Sequence, residues 1–362
     1  MTASGIKVSK SSRNLAFGLH RLFGSLAAIY ILLMSLSGAA LVFHDEIEAA
    51  FFTPKIDNPL AVAAPFSKLI SSVEEQFPGY RAAWIHNKKD PRDYKAIYAQ
   101  RGGERITVLV DGGSARVYGR LNPVLETLKN FHFDLLNAGP GRQWQGVGAM
   151  VLLFIGLSGV FLGVPYIKVL LKGKIFQSQI KTWHALAGLL VAPLILNWSV
   201  SALSFAYPDQ FKGTLAKATG NDAAPIVLAR VSGQSLSPDY LAEYIHENFP
   251  GEHLLWMKLP EFNSGKYKLV LQRGGHPAVK RTLRLDVGSG ILTEVSRSDS
   301  STTDAFVLGW LKKLHFGTFA GVFSKVIWVF LALVPGTLAL SGLYMWWRSK
   351  RRRDLSGHES SN

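Results

Sequence analysis

The sequence predicts an α-helical membrane protein with four transmembrane helices in a tandem-duplicated arrangement, plus two small α+β domains outside the bilayer. Three observations predict it. Apolar residues make up 48% of the 362, and they gather into long, nearly charge-free runs instead of spreading as in a soluble enzyme. Two of these runs, Leu19 to Phe43 and Trp183 to Phe205, repeat one another: Ser37 follows His20 at the same spacing at which Ser201 follows His184. A second pair also matches. Ser158-Gly159 follows His132 at the same spacing at which Ser341-Gly342 follows His315, each within a Leu-Ser-Gly sequence. Self-similarity at a fixed spacing is the mark of a duplicated unit.

The elements follow in order. Residues 1–14 form a basic tail, and a first transmembrane helix covers 15–44. A polar stretch, 45–130, punctuated by Gly and Pro, forms the first outer domain. Residues 131–166 hold a His132 segment and the second transmembrane helix, separated by the helix-breaking Gly139-Pro140-Gly141. A basic loop, 167–182, leads to the third helix at 183–206. The second outer domain is 207–312. A His315 segment and the fourth helix fill 313–347, before a basic tail at 348–362. Each apolar run reaches the roughly 20 residues that a helix needs to cross a bilayer. The first is too long for a signal-peptide core and reads as an uncleaved span. Trp346, Trp347 and Arg348 read as an interfacial anchor.

The net charge of +15 raises the question of a nucleic-acid partner, and its placement answers it. Most of the excess comes from Lys7, Lys10, Arg13 and Arg21, from Lys168, Lys172, Lys174 and Lys181, and from Arg348, Lys350, Arg351, Arg352 and Arg353. These flank the apolar runs, so the charge reports positive-inside topology, with both termini and the 167–182 loop cytoplasmic. The partner implied is the lipid bilayer, with no nucleic acid. There are no cysteines, which rules out disulfides, thiolate-held iron–sulfur clusters and thioether-attached haem.

The polar stretches repeat as well. Gln76-Phe-Pro-Gly79 followed by Trp84 matches Asn248-Phe-Pro-Gly251 followed by Trp256. Gln100-Arg-Gly-Gly103 matches Gln272-Arg-Gly-Gly275, and Asp111-Gly-Gly-Ser114 matches Asp286-Val-Gly-Ser289. Each stretch begins with a helix, at Phe66–Gln76 or Pro238–Asn248. The Phe-Pro-Gly turn stops that helix, and alternating strands such as 266–272 and 281–286 follow. This order, with the Phe-Pro-Gly and Asp-x-Gly-Ser turns, resembles PepSY domains. The spans, with Leu-His before them and Leu-Ser-Gly within them, resemble the PepSY-associated transmembrane family over residues 15–347. That family includes haem-containing inner-membrane ferric-siderophore reductases. The resemblance therefore implies b-type haem, two in number, with a haem-binding role carried over to His20, His132, His184 and His315.

The residues themselves bear on that implication. Ionisable groups at membrane boundaries point to function, although an interfacial imidazole bonded to headgroups is the plainer alternative. His20 and His184 begin spans that enter from inside, while His132 and His315 precede spans that enter from outside. Parallel repeats about an axis along the membrane normal would make each pair face across that axis. Two imidazoles then serve as axial ligands of one haem iron, and Gly24, Gly38, Gly159, Gly188 and Gly342 give a flat macrocycle or a neighbouring helix room to approach. His44 ends the first span, roughly 36 Å along the helix from His20. It stands as an alternative outer ligand to His132 or His315, although its duplicate position is Pro208. His86, His246, His253, His276 and His358 read as ordinary solvated or core-edge side chains. Arg142 and Lys325 occupy matching outer helix ends, where they either pair with an anionic group or snorkel to headgroups. Asn197, in mid-span, reads as a bond to a neighbouring helix or a pocket-lining group.

No G-x-G-x-x-G, Walker, H-E-x-x-H or nucleophile-elbow sequence occurs, so no built-in nicotinamide, flavin or ATP site is expected. The expectation is a ferric-siderophore reductase of the bacterial inner membrane. Its electrons would come from a cytoplasmic reductase or membrane quinol. The alternatives are a PepSY regulator that binds a periplasmic peptidase or peptide, and a haem conduit to another periplasmic redox partner.

Overall fold

The computed structural model describes residues 9–51, 63–87, 94–172, 179–220, 225–231, 236–260, 265–274, 276–298 and 303–359. Lys174, in the basic loop, and Gly275, in the second Gln-Arg-Gly-Gly sequence, lie outside the described residues. In chain order the elements are α1 (Lys10–Leu41), α2 (His44–Phe51), α3 (Phe66–Gln76), β1 (Arg81–His86), β2 (Lys95–Arg101), β3 (Glu104–Val110), β4 (Val117–Arg120), α4 (Pro123–Asp134) and α5 (Pro140–Gly163). There follow α6 (Ile167–Leu171), α7 (Ile180–Ala206), α8 (Pro208–Thr219), β5 (Ile226–Arg230), α9 (Pro238–Asn248), β6 (Glu252–Lys258), β7 (Lys266–Arg273), β8 (His276–Asp286), β9 (Ile291–Ser298), α10 (Thr303–Phe316) and α11 (Gly321–Glu359).

Helices α1, α5, α7 and α11 are each long and apolar enough to cross a membrane. Their outward faces carry Leu26, Ile29, Leu190, Phe323 and Phe330, all exposed, as a lipid-facing surface requires. Helix α1 packs on α11 and α5, and α7 packs on α5 and α11, so α1 and α7 face each other across the diagonal of a four-helix bundle. Small residues allow the close approaches: a Cβ added at Gly156 would touch Ile195 and Leu196 of α7, and one at Gly336 would touch Ser35 and Leu32 of α1.

Two helices extend beyond the apolar runs, α1 back to Lys10 and α11 on to Glu359. Lys and Arg are good helix formers, so a basic flank continues a helix that the bilayer has already nucleated.

The strands form one antiparallel sheet, ordered β4-β3-β2-β1-β6-β7-β8-β9-β5. The two polar stretches are thus not separate units. Strand β1 of the first pairs with β6 of the second, with Trp84 opposite Lys258, Ile85 opposite Met257 and His86 opposite Trp256. The physical reason is the edge-strand problem: a four-stranded sheet that ends in β1 exposes a row of backbone donors and acceptors, and the matching edge of its neighbour satisfies them. Helices α3 and α9 cover one face. Leu69 and Val73 of α3 pack with Ile97, Ile106 and Val108, while Leu241 and Ile245 of α9 pack with Ile85, Met257, Leu269 and Leu283. The cores interlock at the seam, because Ile85 belongs to β1 yet packs with the second set. Leu269 is fully buried, so Leu269→Ala is expected to cost about 3 kcal/mol. A midpoint in chemical denaturation that does not move would contradict this packing.

The Asp-x-Gly-Ser turns are held by their own carboxylates. Asp111 accepts the N–H groups of Gly113 at 2.9 Å and Ser114 at 2.7 Å, and Asp286 accepts that of Ser289 at 3.0 Å.

Candidate functional site

Helix α1 carries His20 towards its N-terminal end and Ser37 towards the sheet-side end of the bundle. Each faces a residue of the α4–α5 segment. His20 Nδ1 lies 2.9 Å from Ser158 Oγ on α5, and His132 Nδ1, on α4, lies 2.9 Å from Ser37 Oγ. The same reciprocal arrangement recurs between α7 and the α10–α11 segment. His184 Nδ1 lies 2.8 Å from Ser341 Oγ, and His315 Nδ1 lies 2.6 Å from Ser201 Oγ.

These bonds fix the tautomer of each imidazole. A serine hydroxyl has one proton, and all four serines have a helix carbonyl one turn back within reach. The distances are 2.8 Å for Ser158 to Phe154, 2.7 Å for Ser37 to Leu33, 2.6 Å for Ser201 to Asn197 and 2.9 Å for Ser341 to Leu338. With that proton given to the carbonyl, the serine oxygen accepts from Nδ1–H. The proton then sits on Nδ1, and Nε2 carries the lone pair. This is the arrangement by which an outer partner orients a metal-binding imidazole.

In three of the four cases the residue after the serine is glycine, and the imidazole edge rests on it. A Cβ would stand 3.1 Å from His132 Cε1 at Gly38, 3.4 Å from His20 Cε1 at Gly159 and 3.5 Å from His184 Cε1 at Gly342. The fourth position is Ala202. Among the described residues, Gly24 and Gly188, one turn beyond His20 and His184 along the same helices, have nothing within 4 Å of an added Cβ.

The histidines lie at two levels of the bundle. At the level far from the sheet, the rings of His20 and His184 face across the bundle diagonal, with centroids 6.4 Å apart and planes at 86°. At the sheet-side level, burial pushes the pKa of His132 down to about 4. Burial, and then the nearness of His132, takes that of His315 down to about 3. Both rings are therefore neutral at physiological pH, with a lone pair to share. Phe205 packs edge-on to His315 at 5.2 Å and Phe133 to His132 at 5.9 Å, an apolar wall on each side.

The short helices that carry the sheet-side pair are rigidly set. Gln145 Nε2 donates to the His132 carbonyl, and Trp198 Nε1 donates to the His315 carbonyl at 3.3 Å. After α4 the chain turns through Leu135 and Leu136, both left-handed, at a cost of roughly 1–2 kcal/mol each. Asp134 anchors that turn to Arg105 at 2.6 Å and Arg142 at 3.0 Å. Trp328 Nε1 donates to the Leu314 carbonyl at 2.7 Å and pins α10 in the same way. An added Cβ at Gly141 would land on the Asp134 carbonyl. Gly141→Ala is therefore expected to displace α4 and disturb His132 while leaving His20 and His184 in place. Equal disturbance of both levels would show that α4 is not set by this contact.

His44 is not brought to either pair. Its Nδ1 donates to the Leu41 carbonyl at 3.0 Å, and its Nε2 lies 3.1 Å from the Asp45 carboxylate. Lys325, like Arg142, pairs with a carboxylate, that of Glu46 at 2.7 Å. Among the described residues the buried Asn197 Nδ2 has no hydrogen-bond partner, so the interhelical bond expected of it is not seen there.

The serines are the part of the site to which the sequence reading assigned no role. The equal histidine-to-serine spacings of the two halves already marked them. What spacing cannot show is that each serine serves the histidine of the opposite level.

A bundle of four apolar helices capped at one end by an antiparallel sheet is that of a multi-pass membrane protein. The chain belongs to the PepSY-associated TM region family, which matches it over residues 17–349. Comparison with curated proteins gives no match.

Proposed function

We propose that this protein carries haem in the bacterial inner membrane and passes electrons across it to ferric siderophores in the periplasm, releasing their iron. The observation that supports this reading most is the set of four imidazoles at two levels, each held by a serine at Nδ1 so that Nε2 is left to bind. Among the described residues no cluster of three or more His, Asp or Glu side chains is placed to hold a bare metal ion. Paired imidazoles instead suit a metal whose other four donors come from a macrocycle. The residues fit that group. Metal–imidazole bonds of about 2 Å on each side, plus roughly one ångström from each nitrogen to its ring centre, come close to the observed centroid separation of 6.4 Å. The bare helix faces at Gly24 and Gly188 leave room for a flat ring. His20 and His184 would hold one b-type haem, and His132 and His315 a second.

Bound haem supplies one-electron chemistry, cycling between ferric and ferrous iron. The chain's own residues orient the ligands through Ser37, Ser158, Ser201 and Ser341, and the apolar bundle excludes water. Each ferric ion of the substrate takes up one electron to become ferrous. The larger, less charged ion is held more weakly by hard oxygen donors, and release follows. No dinucleotide or nucleotide motif occurs in the chain, so the electron would come from a cytoplasmic reductase or membrane quinol. On this reading the positive-inside pattern of the basic segments assigns both termini and the 167–182 loop to the cytoplasm, and the sheet, read as two duplicated PepSY-like halves, to the periplasm.

Topology is tested by reporter fusions. An outside signal is expected at Gly265 and an inside signal at Leu171. Fusions at Asp90 and Gly173, which lie outside the described residues, extend the same test to 45–130 and 167–182. An outside signal from the 167–182 loop would reverse the assignment. Function is tested on purified protein, which is expected to show haem absorption. Once chemically reduced, it is expected to be reoxidised by ferric siderophores while a ferrous-specific chelator traps the product. Protein that binds a peptidase tightly but shows no haem would replace this reading with that of a membrane regulator. Haem that ignores every ferric chelate would point to another periplasmic redox partner.

A further inference from the structure

The two faces of the sheet differ sharply, as two adjacent rows of residues show. On the face covered by α3 and α9, Ile97, Ile85, Met257, Leu269 and Leu283 lie side by side across five strands, all buried. One residue along each strand, the neighbouring row points to the opposite face and reads Tyr98, Trp84, Lys258, Lys268 and Arg284. Three cations thus stand directly opposite one another on β6, β7 and β8, each half-buried. Like charges directly opposite destabilise a sheet. Burial and the nearby charges of Lys212, Arg284 and Lys258 push the Lys268 pKa down, against the opposing pull of Asp209 on α8.

Aromatic rings adjoin the cations at the seam between the two halves. Trp256 stacks on His86 at 3.8 Å with planes 2° apart, and meets Trp84 edge-on at 6.4 Å. Lys258 Nζ lies 5.7 Å from the centre of the Trp84 ring. Packing does not call for three aligned cations, because the core lies on the other face. A bound anion would turn the repulsion between Lys268 and Arg284, which stand opposite each other on β7 and β8, into attraction.

We infer that this face is a binding site for an anionic, oxygen-rich chelate with flat arms. Lys258, Lys268 and Arg284 bind its anionic oxygens, and Trp84 and Trp256 lie against its arms. The identification of the chelate as an iron carrier rests on the reading proposed above. The site itself rests on the register and the charge.

The test uses a probe that accepts no electron, gallium(III) tris-catecholate, which is triply negative. It is titrated calorimetrically into full-length protein in discs of zwitterionic lipid. Binding is expected, and neutral gallium(III) trihydroxamate is expected to bind more weakly. The double variant Lys268→Gln/Arg284→Gln is expected to bind the tris-catecholate at least about tenfold more weakly, since charge-assisted hydrogen bonds carry about that much affinity. Its ligand-free melting temperature is expected to rise as the repulsion is removed. Lys268→Arg keeps the charge and is expected to keep the binding, which separates loss of the site from loss of the fold. Equal affinity in wild type and double variant overturns the inference. It is equally overturned if the variant changes only the retention of anionic phospholipid, because the row then serves the headgroup layer. The probe reports binding without redox chemistry. A protein that binds the gallium chelate but reduces no ferric one keeps the site and loses the reductase reading. One that reduces ferric chelates yet ignores the gallium probe does the reverse.

Discussion

Replacing His20 or His184 by alanine is expected to remove the same haem, the one far from the sheet, and to leave the other spectrally intact. The rings lie 6.4 Å apart across the bundle on different helices, so on the proposed reading each variant takes away one of two ligands to one metal. The loss of affinity should exceed the roughly 10–100-fold typical of losing only an orienting partner. His132→Ala and His315→Ala are expected to act together on the sheet-side haem in the same way. His44→Ala is expected to spare both, since its ring nitrogens are engaged with the Leu41 carbonyl and the Asp45 carboxylate. Low-temperature absorption and paramagnetic resonance of the separate variants read this directly. The pairing fails if the His20 and His184 variants change spectrally different centres. In assays that start from an inner electron donor, loss of either pair should stop delivery to the acceptor. Loss of the far pair alone should leave oxidation of an already reduced sheet-side centre untouched.

Much of this arrangement was legible in the sequence, for identifiable physical reasons. A bilayer demands long apolar runs, so all four spans could be read to within a few residues at most ends. The larger differences, Lys10 and Glu359, fall where basic residues prolong a helix beyond the apolar part. Proline and glycine punctuate strongly, and α3 and α9 end at their Phe-Pro-Gly turns. Helices α2 and α8 were not read, because short stretches of mixed polarity beside a span carry a weak periodic signal. The β1–β6 seam was not legible either. Pairing between strand edges is made by backbone groups that every residue has, and only the repeated Trp84 and Trp256 mark the place. The histidine spacings were visible, but their geometry was not. The spacing of His20 and Ser37 puts them at opposite ends of one helix, and nothing in one dimension says which neighbour each will meet.

That crossing supplies the most discriminating expectation, because α1 serves both levels. Its histidine belongs to the far pair, and its serine holds His132 of the sheet-side pair. Ser37→Ala is therefore expected to weaken the same centre as His132→Ala, and Ser158→Ala the same centre as His20→Ala, against the order of these residues along the chain. Removing the hydroxyl leaves a buried Nδ1–H without its acceptor, at a cost of about 1–3 kcal/mol. It also frees the ring to turn or change tautomer, so haem affinity at that level is expected to fall about 10–100-fold. Ser→Thr at the same positions keeps a hydroxyl on a helix and is expected to restore much of the loss. A structural role alone would not move the imidazole ¹⁵N shifts. In the haem-free protein these shifts should report a proton on Nδ1 in the wild type and a mixture of tautomers in the alanine variant. If Ser37→Ala instead weakens the centre held by His20 and His184, the serines do not act through the imidazoles they touch, and the reciprocal scheme must be abandoned.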